Sequence, residues 1–104
     1  MELTGKAKEQ FEKWYLERYF KKLIPLSMQE KFAILDSFDE IYNAMKWGVY
    51  QDFADSLGVE IYAEKSLCRE GFVSLTDSYP CGYFNTRNEA RSDAINKLNE
   101  LLNK

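Results

Sequence analysis

Residues 47–58 read WGVYQDFADSLG and join a helical N-terminal half of the chain to a β-rich C-terminal half. At 100° per residue the large apolar side chains of this stretch fall on one arc and its polar side chains on the other. That division is typical of a surface helix with one buried face. Gly58 follows the last periodic residue, where a glycine can take the left-handed conformation that ends a helix. We therefore predict a helix over 48–57.

From Val59 the apolar period becomes that of a strand. Val59, Ile61 and Ala63 alternate with Glu60, Tyr62 and Glu64, as in a strand with one buried face. Turn-forming residues then separate two further short apolar runs. The sequence predicts a three-stranded antiparallel meander with strands near 59–66, 71–76 and 82–85.

Two helices are predicted before the central stretch. Thr4 and Gly5 mark the entry to a helix near 6–23, which Pro25 ends. Ser27 and Glu30 form the S-x-x-E pattern of a capping box and open a helix near 28–46. The apolar face predicted for this helix comprises Ile34, Phe38, Ile41, Tyr42 and Met45. Its phase does not continue through Gly48, so we expect a kink or a new helix there.

A second capping box, Thr86 with Glu89, opens a C-terminal helix predicted over 87–102. Ala94 and Leu98 lie on its apolar face, and the sheet is the nearest large apolar surface in sequence. The expected fold is therefore α+β, with N-terminal helices, an antiparallel meander and a C-terminal helix packed on the sheet. With 104 residues and 45% hydrophobic content, residues 1–104 form one domain.

Charge and composition narrow the function classes. The net charge of −3 argues against a general nucleic-acid binder, and residues 27–58 are the most acidic part, with six acids against two basic residues. The absence of histidine excludes Ser-His and Cys-His nucleophilic mechanisms and histidine metal ligands. The carboxylate pairs Asp36/Glu40 and Asp52/Asp55 lack supporting ligands. We predict no enzyme activity, no cofactor and no metal site.

Cys68 and Cys81 lie in the β-rich half without a CxxC pattern, so we expect both to be small buried core residues. The sequence shows neither a secretory signal nor an apolar run long enough for a membrane span. The predicted location is therefore the cytoplasm, where thiols stay reduced.

Two groups of residues are candidates for binding a partner protein. Trp14, Arg18 and Lys21 lie on one edge of the first helix, and Trp and Arg are enriched at interface hot spots. Alternatively this helix covers two elements of the fold with its wide apolar arc. Asp36 and Glu40 share the outward face of the second helix, which is either a solvated face or a surface that competes with nucleic acid for a basic groove.

Arg87 and Arg91 project within the arc that also contains Ala94 and Leu98, where a guanidinium group needs a partner. We predict that they pair with a carboxylate of the central helix, with Asp52 as the best candidate. The alternative is that they face outward near the helix N-terminus and bind an anion such as an RNA phosphate.

Three segments of the chain resemble a group of small proteins of phages and prophages in the Bacteroidetes. They are FEKWYLERYF at 11–20, MKWGVYQDFADSLGVEIY at 45–62 and FNTRNEARSDAINKLNELLN at 84–103. The match covers roughly half of the chain. Ala54 stands where the group often has Phe, and LNELLN stands where it often has KANEIYN, so the core is expected to pack differently.

The resemblance implies a phage-encoded inhibitor or adaptor that acts by contact inside the host cell. Its expected partner is a host protein such as a CRISPR nuclease or the RNA-bound complex of that nuclease, with neither a membrane nor a small-molecule substrate involved. Two alternatives remain. The element order is also that of double-stranded RNA-binding domains, in which Arg87 and Arg91 would contact RNA. The chain could also self-associate through its aromatic first helix as a phage assembly component.

Overall fold

A computed structural model of the chain describes residues 2–20, 26–67, 69–77 and 79–104. Within these ranges four helices accompany a three-stranded antiparallel sheet, so the predicted α+β fold is confirmed. The elements in chain order are α1 (Gly5–Phe20), α2 (Met28–Asp39), α3 (Asn43–Ser56), β1 (Ile61–Lys65), β2 (Phe72–Thr76), β3 (Tyr79–Phe84) and α4 (Arg87–Leu102). The predicted last turn of the first helix and Lys21 lie outside the described residues.

The sheet has the order β1-β2-β3, and α4 packs across all three strands, as predicted. Ser74 of the central strand lies between Ala63 of β1 and Gly82 of β3. Ser74 is fully buried, as are Ala90 and Ala94 on α4. Since none of these side chains is large, the helix can approach the strands closely. Ile95 and Leu98 of α4 are also fully buried, so the core of this half lies between α4 and the sheet.

The third strand begins at Tyr79, earlier than the predicted 82, and Pro80 lies within it. Proline removes a backbone donor and is tolerated on an edge strand such as β3. Lys97 of α4 donates a hydrogen bond from Nζ to the Pro80 carbonyl at 2.8 Å and forms an ion pair with Asp93 at 2.8 Å. This lysine therefore links the edge strand to α4.

The predicted break at Gly48 is wrong, because α2 ends at Asp39 and α3 begins at Asn43. The amides of Glu40 and Ile41 bond three residues back, which tightens the last turn, and Tyr42 is extended with ψ 145°. Gly48 lies inside α3. Tyr42 and Met45 were predicted to be buried but are 83% and 60% exposed, since the restart of the helix changes the side of the molecule that they face.

The predicted end of α3 is confirmed. Gly58 has φ +74°, a left-handed conformation that other residues rarely adopt. Its amide bonds to the Asp55 carbonyl at 3.0 Å, and the Val59 amide bonds to the Ala54 carbonyl at 2.9 Å. This pair of bonds is a Schellman motif. It satisfies carbonyl groups at the end of α3, after which the chain continues to β1.

The predicted capping box is present at α2, whereas at α4 only the bond to the N-cap side chain forms. At α2 the Ser27 hydroxyl accepts the Glu30 amide, and the Glu30 carboxylate accepts the Ser27 amide, each at 3.2 Å. At α4 the Thr86 hydroxyl accepts the Glu89 amide at 3.2 Å, but it donates to the Glu89 carboxylate itself at 3.0 Å. The Glu89 carboxylate thus contacts the Thr86 hydroxyl rather than the Thr86 amide, so the second capping box is incomplete. Both helices nevertheless begin at the predicted residues.

The N-terminus of α1 is held by two asparagines, one in α4 and one directly after it. Asn99 accepts the Thr4 amide and donates to the Glu2 carbonyl, both at 2.8 Å. Asn103 accepts the Ala7 amide at 3.2 Å and donates to the Thr4 carbonyl at 2.9 Å. Asn103 therefore supplies the side-chain cap of a helix that begins at the opposite end of the chain.

The three N-terminal helices meet at a cluster of aromatic rings centred on buried Phe11. Its ring centroid lies between 5.0 and 6.0 Å from those of Trp14, Tyr15, Phe38, Tyr50 and Phe53. Phe38 and Tyr50 are themselves in edge contact at 5.6 Å. One residue from α1 thus joins the side chains that α2 and α3 contribute.

The prediction that both cysteines are buried is wrong for Cys81, which is exposed on β3. The strand begins earlier than predicted, and Cys81 lies on an edge strand beside the inward-facing Gly82. Cys68 lies outside the described residues.

Candidate interaction surfaces

The outward side of α2 carries two large apolar side chains. Met28 is 71% exposed and Phe32 is 63% exposed, and Asp36, also exposed, follows Phe32 by another four residues. Residues four apart lie on the same side of a helix. We call Met28, Phe32 and Asp36 the outer row of α2.

Away from the outer row, α2 contacts the domain mainly through Phe38, the residue of α2 that is buried. The Phe38 ring lies 5.0 Å from the Phe11 ring and 4.9 Å from the Tyr15 ring. An open groove follows this contact between α1 and α2. Its lining is mostly apolar and comprises Tyr15, Phe20, Ala33, Ile34, Ser37, Phe38 and Ile41. The Phe38 ring is therefore the main core contact of α2, and the outer row of α2 takes no part in the core.

Asp36 and Glu40 are both exposed, as predicted for an outward face of the second helix. Met28 and Phe32 were not predicted to belong to this face, although the helical spacing indicates it. Counting back from Asp36 in steps of four reaches Phe32 and then Met28. The face taken as polar is therefore mixed, with two apolar side chains followed by acids.

Trp14 is half-buried and does not lie apart from the core. Its ring is 5.5 Å from the buried Phe53 ring and 5.9 Å from the Tyr19 ring. Arg18 is exposed, with its guanidinium 5.6 Å from the Tyr19 ring centroid. The proposed contact of Trp14 and Arg18 with a partner stays a prediction, but Trp14 also supports the packing of α1 on α3.

The predicted pairing of Arg87 and Arg91 with Asp52 is wrong. Neither arginine forms an ion pair in the described part of the chain; instead the Arg87 guanidinium lies 5.2 Å from the Phe72 ring and that of Arg91 lies 6.0 Å from the Trp47 ring. Asp52 accepts a long hydrogen bond from the Tyr19 hydroxyl at 3.5 Å. The two guanidinium groups thus lie near aromatic rings instead of a carboxylate. Helical spacing alone could not indicate these aromatic partners.

Tyr50 lies beside a small cavity between the N-terminal segment, α1 and α2. Burial raises the pKa of the Tyr50 hydroxyl, the charges of Glu2 and Asp39 act in the same direction, and a backbone hydrogen bond from Leu3 opposes them. The hydroxyl therefore stays protonated at neutral pH. The cavity volume of about 70 Å³ is well below the roughly 300 to 1,000 Å³ of typical small-molecule sites.

Among the residues that the structure describes, no group of three or more acidic or cysteine side chains is placed to hold a metal ion. Within the same ranges, none of the helices has both the length and the apolar character needed to span a bilayer. Comparisons of the chain with protein-family models, with curated proteins and with solved structures find no match.

Proposed function

We propose that this protein is a non-catalytic protein-binding module that inhibits a host defence factor and that α2 is its principal contact element. The observation that carries the proposal is the exposure of both Met28 and Phe32 on α2, a helix whose own buried residue is Phe38. Paired apolar anchors on one face of a helix are the feature with which helices bind grooves of partner proteins.

Burial supplies the affinity in this account. Covering a Met or Phe side chain completely contributes roughly 1.5 to 3 kcal/mol, before the cost of association is subtracted. Both side chains are more than half exposed, so most of this contribution is available to a partner. Methionine also adapts to irregular pockets, which suits an anchor on a contact surface.

Charge indicates the kind of groove that α2 would occupy. Asp36 extends the outer row, and Asp39 and Glu40 follow at the end of the helix, all of them exposed. An acidic surface favours a basic partner and repels the phosphates of nucleic acid. RNA-guided nucleases hold their nucleic acid in a positively charged channel. A helix with apolar anchors and an acidic end could compete for such a channel, which fits the inhibitor role implied by the resemblance to phage proteins.

The test is affinity capture from lysate of a Bacteroidetes host, followed by a competition assay on the captured protein. We expect the chain to retain a nucleic-acid-binding defence protein and to displace labelled nucleic acid from it. Recovery of RNA alone would replace the proposal with RNA binding. Capture of a protein whose nucleic-acid binding is unchanged would contradict competition for a basic channel.

A further inference from the structure

Opposite α4, the sheet has a face whose side chains are exposed or half-buried in the part of the chain that the structure describes. Strand side chains alternate, so the residues between the buried positions point away from the helix. Tyr62, Leu75 and Tyr83 are 39%, 37% and 43% exposed there, and Val73 is half-buried. Tyr62 faces Leu75 across β1 and β2, and Val73 faces Tyr83 across β2 and β3. We call these four residues the outer sheet face.

The two tyrosines of the outer sheet face differ in their surroundings. The Arg69 guanidinium lies over the Tyr83 ring, 3.7 Å from its centroid. In the described ranges no lysine or arginine is stacked on Tyr62 in this way, although Tyr62 is exposed to a similar extent. This face therefore already holds one guanidinium group on one of its two rings.

Tyr62 is surrounded by negative charge instead. The Glu60 carboxylate is the main cause that raises the pKa of the Tyr62 hydroxyl, and Asp55 and Asp77 act in the same direction. Glu64 occupies the next outward position on β1 and is exposed. An aromatic ring among carboxylates attracts a cation by its ring face and by Coulomb interaction together.

We propose that the outer sheet face docks a basic partner protein by taking an arginine side chain of that protein over the Tyr62 ring, beside Glu60 and Glu64. The Arg69 contact with Tyr83 is the pattern that the partner's arginine repeats on β1. This surface lies on the sheet and does not involve α2, so the inference goes beyond the proposed function. The acids around Tyr62 disfavour both a second copy of the same face and a nucleic-acid phosphate.

The probe is a short peptide, acetyl-Gly-Arg-Gly-Arg-Gly-amide, titrated into the full chain while backbone amide resonances are recorded. We expect saturable shifts confined to the residues around Tyr62. A lysine version should bind more weakly by about threefold, because guanidinium stacks on aromatic rings better than ammonium. A citrulline version, which keeps the shape and loses the charge, should not saturate.

Tyr62→Thr and Tyr83→Thr form a matched pair on the same face, and threonine suits a strand. Tyr62→Thr should weaken the arginine peptide by about fivefold or more, whereas Tyr83→Thr should change its affinity less than about twofold, because Arg69 already covers Tyr83. Unchanged resonances elsewhere show that each variant is folded.

Several results would overturn the proposal. These are the absence of saturable binding, equal losses in the two tyrosine variants, or equal affinity for the citrulline peptide. Concentration-dependent dimers that Tyr62→Thr abolishes would assign the face to a second copy of the chain. Binding of a single-stranded oligonucleotide that depends on Tyr62 would assign it to nucleic acid.

Discussion

The two halves of this molecule are stabilised in different ways. In the C-terminal half, antiparallel ladders and small buried residues such as Ser74 and Ala94 bring α4 close to the sheet. In the N-terminal half, three helices meet at the Phe11 ring, and α2 buries only Phe38 among its own residues. In the C-terminal half, the inward-facing side chains of α4 and the strands are buried in the core. The N-terminal half buries one residue of α2 and leaves Met28 and Phe32 of that helix exposed, where they can contact a partner.

The largest expected effect is at the centre of the aromatic cluster. Phe11→Ala should lower the free energy of unfolding by about 3 to 5 kcal/mol, because it removes a buried ring and leaves a cavity among its neighbours. Chemical denaturation measures the loss, and Phe11→Leu, which keeps most of the volume, should lose clearly less. A loss below about 1 kcal/mol would show that Phe11 does not hold the N-terminal half together.

A smaller loss is expected in the close-packed half. Leu98→Ala should cost about 2 to 5 kcal/mol, since Leu98 is fully buried between α4 and the sheet. Leu102, half-buried near the end of the same helix, supplies the control, and Leu102→Ala should cost less in the same denaturation series. Equal losses would indicate that the sheet is not the main contact of α4.

Gly48→Ala should change stability in the opposite direction. Gly48 lies inside α3, and an added Cβ would meet no atom within 4 Å. Alanine in place of glycine at an exposed helix interior stabilises by roughly 0.5 to 1 kcal/mol. The melting temperature should therefore rise. A fall would mean that α3 bends at Gly48, as its sequence first indicated.

The smallest expected effect is a coupling close to zero between Arg91 and Asp52. Since the Arg91 guanidinium lies near Trp47 and Asp52 contacts Tyr19, the two side chains share no interaction. In a cycle of Arg91→Ala, Asp52→Asn and the double variant, the losses of stability should add within about 0.5 kcal/mol. A larger coupling energy would show that Arg91 and Asp52 interact, as the helical spacing predicts.

The elements of the C-terminal half were predicted well, because they depend on patterns among residues that are neighbours in sequence. The Thr86 cap, the alternation from Val59 and the left-handed Gly58 each depend on neighbours in sequence, and each is present in the structure. The third strand is an exception. It was predicted to begin near residue 82, but it begins at Tyr79 because its edge position tolerates Pro80, and Cys81 on it is exposed rather than buried.

The N-terminal half was harder to predict, because its determinants are distant in sequence. The break between α2 and α3 contains no glycine or proline, so local patterns placed it at Gly48. The cap that Asn103 supplies to α1 joins residues 96 positions apart. The aromatic partners of Arg87 and Arg91 likewise depend on the tertiary packing. Of the candidate site, the sequence indicated the acidic face of α2 but not its exposed Met28 and Phe32.

In the proposed function the outer row of α2 serves binding rather than folding. Its most direct test is the double variant Met28→Gln/Phe32→Gln beside a matched control, Tyr42→Gln/Met45→Gln, which removes a similarly exposed aromatic residue and methionine. Both should unfold within about 0.5 kcal/mol of the parent chain. We predict that the α2 variant loses the host protein captured by the parent, while the control retains it. Retention by the α2 variant, or loss by both variants, would show that the outer row of α2 is not the contact surface.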